Sequence, residues 1–278
     1  MLGAIVGDII GSPYEFHNIK TKDFPLFCKK CCFTDDTILT CATAEWLLSG
    51  QEPEKMLLKW GKSYQSRTYE EGKIGAFGKG FSTWLETQTP YDAKTNGCVM
   101  RLSPIFWACK NKDEALRKAV RLTKITHNHE ESINATKAYI ETGFLLKEGI
   151  NPQIIKNCIS HKFGYDLSQS LDEIRPNYNK FYCSCKNSVP QAIVAALDAT
   201  SYEDAVRNAI SLGGDSDTLS AMAGGLAEIR FEIPKNIQQE AEKCMDTNVL
   251  SIVQRFYKAL EHQKQKTTPL TKSKCNDR

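Results

Sequence analysis

Two short stretches of the 278-residue chain concentrate oxygen donors. Toward the C-terminus, Gly213 and Gly214 precede Asp215, Ser216, Asp217 and Thr218, so two carboxylates stand two positions apart and a hydroxyl follows. Near the N-terminus, Thr34, Asp35 and Asp36 show the same chemistry in mirrored order, hydroxyl first. Carboxylate and hydroxyl oxygens suit a hard cation such as magnesium. Either stretch alone reads as a helix cap, because Asp, Ser and Thr serve in that position. The pair could fold together into a cage of four carboxylates and two hydroxyls. Its members would be Thr34, Asp35, Asp36, Asp215, Asp217 and Thr218, around two Mg2+ ions, with Mn2+ as a substitute. A phosphatase using Asp215 as nucleophile is a competing reading of the Asp-x-Asp-x-Thr pattern. That motif should follow a buried apolar strand, whereas a helical period and two glycines precede Asp215 here.

The flanking elements must hold these donors. Ala205, Val206, Ala209 and Ile210 recur at helical spacing behind Ser201 and Asp204, an N-terminal capping pattern. Gly213 or Gly214 would stop that helix in the left-handed conformation. A second helix is expected from Thr218, which puts Asp215, Ser216 and Asp217 on a tight helix–helix turn. Leu39, Ala42, Thr43, Trp46 and Leu47 form the apolar run after the first cluster. Gly3, Gly7 and Gly11 are four apart and would form a smooth stripe on the first helix, with Gly224 and Gly225 as its packing partner. Further helical periods cover 113–126, 131–147, 151–163 and the stretch from Ser188, and the last helical region runs from Pro234 to about His262. Few stretches alternate over strand length, so the expectation is an all-α chain. It would form a single compact multi-helix domain over 1–262, with a disordered Lys-rich tail over 263–278.

Composition narrows the classes. A hydrophobic fraction of 41% and a charged fraction of 25% are ordinary for a globular protein. A net charge of +3 and no basic run interleaved with aromatics do not indicate a nucleic-acid partner. No apolar stretch is long enough to span a bilayer, and Asp8 interrupts the apolar N-terminus, which has no basic lead. With 11 cysteines and no secretory signal, a reducing cytoplasmic compartment is expected. Cys28, Cys31 and Cys32, with Cys183 and Cys185, do not make a four-ligand zinc spacing. Gly72, Gly75, Gly78 and Gly80 are either a flexible linker or a place where backbone amides approach phosphates closely. Tyr178, Phe181 and Tyr182 are either core or candidates to stack on a base.

Five blocks in order resemble the ADP-ribosylglycohydrolase family, which includes dinitrogenase reductase-activating glycohydrolase. They are 3–15, 33–37, 96–104, the Thr126-His127 pair and 213–218, and together they span nearly the whole chain. The resemblance implies an all-helical fold and a magnesium-dependent hydrolase. Such an enzyme would remove ADP-ribose from a modified side chain, arginine first and serine next, or from a small ADP-ribose conjugate. It also implies Asp35 or Asp36 as general base and Glu15 on a movable acidic loop closing the site. Gly78, Gly80, Asn96, Gly97, Met100 and His127 would border the substrate, with His127 favoured over His129. The partner would be an ADP-ribosylated protein or a small conjugate, met by a monomer. The alternative is a catalytically silent ADP-ribose-binding or structural protein on the same fold; the intact acidic set argues against it.

Overall fold

Fourteen α-helices and one two-stranded hairpin make up the described residues, 1–69 and 74–267, of the computed structural model. In chain order they are α1 (Leu2–Gly11), α2 (Asp35–Ser49), α3 (Pro53–Tyr64), β1 (Thr68–Tyr69), β2 (Ile74–Gly75), α4 (Lys79–Thr87) and α5 (Ser103–Ala108). The middle contains α6 (Lys112–Lys124), α7 (Glu130–Lys147), α8 (Pro152–Phe163), α9 (Leu171–Asn177) and α10 (Cys185–Leu197). Then come α11 (Tyr202–Ser211), α12 (Ser216–Arg230), α13 (Lys235–Glu242) and α14 (Thr247–Thr267). The all-α expectation holds. Among the described residues no helix is long and apolar enough to cross a membrane, and every described cysteine is a free thiol.

The glycine stripe of α1 faces α12 at backbone contact. A methyl group on Gly3 would lie 2.4 Å from the Gly224 carbonyl oxygen, and one on Gly7 would lie 2.1 Å from that of Ser220. Any larger residue would push the two helices apart. Ser220 Oγ lies 2.7 Å from the Gly7 carbonyl oxygen, and the Tyr202 hydroxyl donates to the Gly3 carbonyl at 2.7 Å. The opposite side of α1 carries Ile5 and Ile9, fully buried with Ile38 and Phe33 of the neighbouring segment. Each such side chain contributes about 1.5–3 kcal/mol by leaving water. The C-terminal end of α1 therefore lies beside the N-terminal end of α12, with Gly11 against Ser216 and Asp217.

Three boundaries differ from those expected. Ser216 and Asp217 belong to the first turn of α12, and Asp215 is its N-cap residue, so only the two glycines and Asp215 form the turn. Gly213 and Gly214 both take φ +74°, which reverses the chain in two residues. The final helix continues past His262 to Thr267, and its buried residues, Val249, Ile252 and Phe256, lie in its first half. The rest of the expected tail, 268–278, lies outside the described residues. No strand was expected before the glycine-rich stretch, yet β1 and β2 pair antiparallel there, Thr68 with Gly75 and Tyr69 with Ile74. Gly72 lies outside the described residues.

Candidate metal centre and cleft

The N-termini of α2 and α12 converge on one point. Thr34 caps α2, its side chain accepting from the Asp36 amide, and Asp36 follows in the first turn. Helix N-termini carry positive partial charge, which favours carboxylates there. Thr218 Oγ1 donates to Asp36 Oδ2 at 3.1 Å, and Thr34 Oγ1 lies 3.3 Å from Asp217 Oδ2. The two acidic stretches are thus one site. One oxygen each from Asp8, Asp36 and Asp217 lie within 4.8 Å of one another, as do one each from Glu15, Asp215 and Asp217. Asn96 Nδ2 donates to Asp215 Oδ2 at 2.7 Å and holds that carboxylate in place.

The donor set fits a divalent cation. Asp36 Oδ1 and Asp217 Oδ1 are buried and have no hydrogen-bond partner. A buried carboxylate oxygen left in that state is costly unless a cation meets it. Burial is the first cause that raises the proton affinity of Asp8, Asp35, Asp36, Asp215 and Asp217, and repulsion by neighbouring carboxylates adds to it at Asp35, Asp36 and Asp217. Asp36 and Asp217 are pushed well above the usual carboxylate range; Asp8, Asp35 and Asp215 add to Asp36, and Glu15, Asp215, Asp36 and Asp8 add to Asp217. Asp215 is raised by burial against the Asn96 bond that lowers it. Asp35 rises to about 7, through burial and then the charges of Asp8 and Asp215. It nonetheless stays half-buried and lines the cleft, while its oxygens join neither cluster.

A cleft of about 440 Å³ opens over these acids. Its walls include Glu15, Asp35, Asp36, Asp215, Asp217 and Thr218, and also Gly78, Gly80, Asn96, Gly97, Met100 and His127. Thr34 lies beneath it, buried. Gly80 packs against the Tyr91 ring, where a methyl group would come within 3.0 Å, whereas Gly78 faces open space. A larger cavity of about 820 Å³ around Trp84, Leu116 and Val120 shares no wall residue with the cleft, and its one carboxylate is Glu54. The clustered carboxylates line the smaller space.

His127 is buried between two hydroxyls, with Nε2 2.8 Å from Thr95 Oγ1 and Nδ1 2.8 Å from Thr126 Oγ1. Burial, then the nearby Arg101 charge, lowers its pKa to about 3, so the imidazole is neutral. His129 instead caps α7, Nδ1 accepting from the Glu131 amide. Arg101, buried at the cleft wall, donates from its guanidinium to the Leu122 carbonyl at 3.1 Å and to Thr126 Oγ1 at 2.7 Å. Glu15 ends the short helix Ser12–Tyr14. Asn18, which sequence reasoning missed, clips that segment to the second acidic turn. Its Nδ2 donates to the carbonyls of Glu15 and Gly214, and the Gly214 amide donates to its Oδ1. Of the three aromatics, Tyr178 is core, its hydroxyl donating to the Asn187 carbonyl. Phe181 lines the cleft, 48% exposed, and stacks on Phe16 with ring centroids 5.7 Å apart.

Asp8 is the other residue missed. It reads as an interruption in an apolar helix, and the signal was the cost of burying a lone carboxylate without donors. Burial raises it to about 6 against four hydrogen bonds that lower it.

Known proteins resemble this chain in sequence and in fold. The model of the ADP-ribosylglycohydrolase family matches residues 1–266, and the chain belongs to that family. It is 23% identical to ADP-ribosylhydrolase ARH3 of Bos taurus, over 94% of this chain and 93% of that protein. It is 23% identical to ADP-ribosylarginine hydrolase Tri1 of Pseudomonas putida (strain GB-1), over 82% of this chain and 68% of that one. Among solved structures, an "ADP-ribosylglycohydrolase-related protein complex" shares the fold at a TM-score of 0.65 and 20% identity, covering 92% of this chain and 96% of that chain.

Proposed function

We propose that this protein hydrolyses the glycosidic bond joining ADP-ribose to a modified protein side chain or a small conjugate, with Mg2+ as cofactor. The observation that carries the reading is the convergence of the α2 and α12 N-termini, which leaves Asp36 Oδ1 and Asp217 Oδ1 buried and unpartnered at the floor of a cleft. Thr34, Asp36, Asp215, Asp217 and Thr218 would hold two ions. Bound there, they supply charge neutralisation and Lewis acidity toward the ribose oxygens and water. Cleavage develops positive charge at the anomeric carbon, which the carboxylate floor stabilises. Asp35 is the general base in this reading. It faces the cleft outside the oxygen clusters, so its carboxylate is free to take the proton of the attacking water. Glu15, held on the Asn18 clip, closes the site over the substrate. Gly78, Gly80, Asn96, Gly97 and Met100 border the ADP-ribose, neutral His127 donates or accepts through its hydroxyl partners, and Phe181 offers a face for the adenine.

Arginine is the first attachment residue to test and serine the second. The relative Tri1 is named for the former. Turnover on arginine-linked, serine-linked and acetyl-linked ADP-ribose, with Mg2+ and with chelator, tests the reading. Release of free ADP-ribose only with Mg2+ supports it. Tight ADP-ribose binding with no cleavage of any substrate would replace it with a silent binder.

A further inference from the structure

Asp8 is fully buried on α1, one residue past Gly7 of the stripe, and four hydrogen bonds end on its carboxylate. The Thr34 amide at 2.9 Å, the Thr37 amide at 3.1 Å and the Thr37 hydroxyl all reach Oδ2. The Thr34 hydroxyl reaches Oδ1 at 2.7 Å. All four donors come from the N-cap and first turn of α2. Each carboxylate oxygen has about two lone-pair directions, so Oδ2 is fully engaged and Oδ1 takes the Thr34 hydroxyl as its one hydrogen bond.

The position of one proton then matters. A threonine hydroxyl has a single hydrogen to donate, and the nearest acceptor to Thr34 Oγ1 is Asp8 Oδ1. Its other carboxylate neighbours are Asp217 Oδ2 at 3.3 Å and Asp36 Oδ2 at 3.5 Å. With the proton on the Asp8 side and one lone pair accepting the Asp36 amide, Thr34 has one lone pair left to turn toward them. Oxygen lone pairs facing carboxylates repel unless a cation stands among them. We propose that Asp8 is a positioning residue for the metal centre. By accepting the Thr34 hydroxyl proton on Oδ1 it turns the free Thr34 lone pair into the oxygen cluster, and it acts on the ion through Thr34. This rests on the proposal that the cluster holds a divalent cation.

The test is Mn2+ binding to the full chain, followed by titration calorimetry and electron paramagnetic resonance, with no substrate present. Asp8→Asn should weaken Mn2+ binding by about tenfold or more, the usual size of an outer-layer effect at a metal site. Thr34→Val should do the same. The double variant should bind no more than about twofold more weakly than Thr34→Val alone, because both changes remove one interaction. Losses that multiply would mean that Asp8 acts independently of Thr34, as a ligand, and overturn the proposal; so would native affinity in Asp8→Asn. Should Asp8→Asn not fold, Thr34→Ser decides the matter. Serine keeps the hydroxyl but not the branched side chain that restricts its rotation. If Asp8 fixes that hydroxyl, Thr34→Ser stays within about threefold of native, and a loss as large as that of Thr34→Val overturns the idea. Absence of Mn2+ binding in the native chain removes the metal centre and this role together, whereas native binding with either adverse result removes this role alone.

Discussion

The Thr218 hydroxyl donates to Asp36 Oδ2 at 3.1 Å across 182 residues of sequence. That bond joins the first turn of α12 to the first turn of α2. It depends on α1, which packs its glycines against α12 and receives the α2 N-cap on Asp8. Changes at the site or in this packing have separable consequences.

A cation that binds only the folded state should raise the melting temperature. At a hundred times its dissociation constant the gain is about 2.7 kcal/mol. Calorimetry with Mg2+ and with chelator should show this in the native chain. Asp36→Asn and Asp217→Asn should shrink the shift and leave the chelated protein more stable than native, since each removes a repelling charge. An undiminished shift in Asp217→Asn would detach α12 from the metal centre.

Stability of the chelated protein should fall with rising pH between about 4, the unfolded carboxylate value, and about 7. Asp8 and Asp35 are raised to about 6 and about 7. In that window the folded state binds more protons than the unfolded one, so the slope of unfolding free energy against pH is negative. Their protonated forms are tolerated fully below the unfolded value, and the penalty of ionising them is complete above the folded one. Urea titrations at successive pH values, with and without Mg2+, would measure the slope, which saturating Mg2+ should flatten or reverse.

Gly7→Ala should cost about 1–3 kcal/mol or more, the scale of overpacking, because its methyl group would meet the Ser220 carbonyl at 2.1 Å. Gly78→Ala faces open space and should leave stability unchanged. A change in KM without one in melting temperature would then report crowding of the cleft. Equal melting temperatures for the native chain and Gly7→Ala would contradict the backbone contact.

Asp35→Asn should lower kcat by about 10²–10⁴, the range for loss of a general base, with Mn2+ affinity nearly retained. Glu15→Gln should lower it less. The acid limb of the pH–rate profile should be the same in His127→Gln as in the native enzyme, because His127 is held neutral down to about 3. A shifted acid limb in that variant would make His127 a titrating participant.

Residue type and spacing made much of this readable from the chain. The two acidic stretches, the left-handed glycine pair at 213–214 and the stripe at Gly3, Gly7 and Gly11 depend on local geometry, and local geometry follows from neighbours in sequence. The same holds for the helical periods that predicted the all-α chain. Two features resisted. Adjacent residues on a helix point about 100° apart, so spacing alone does not say how Asp35 and Asp36 divide between the oxygen clusters and the cleft wall. The rotation of α2 against α1 and α12 puts an Asp36 oxygen beside Asp8 and Asp217, and both carboxylates line the cleft. The roles of Asp8 and Asn18 were hidden for a related reason. Each acts on backbone or side-chain groups that reach it only through folding, Asp8 on the α2 N-cap and Asn18 on Gly214, 196 residues away. Sequence determined which donors exist and in what local order, because those depend on a few consecutive residues. Tertiary packing decided which of them share one cation-sized space, because burial and mutual distance belong to the folded chain alone.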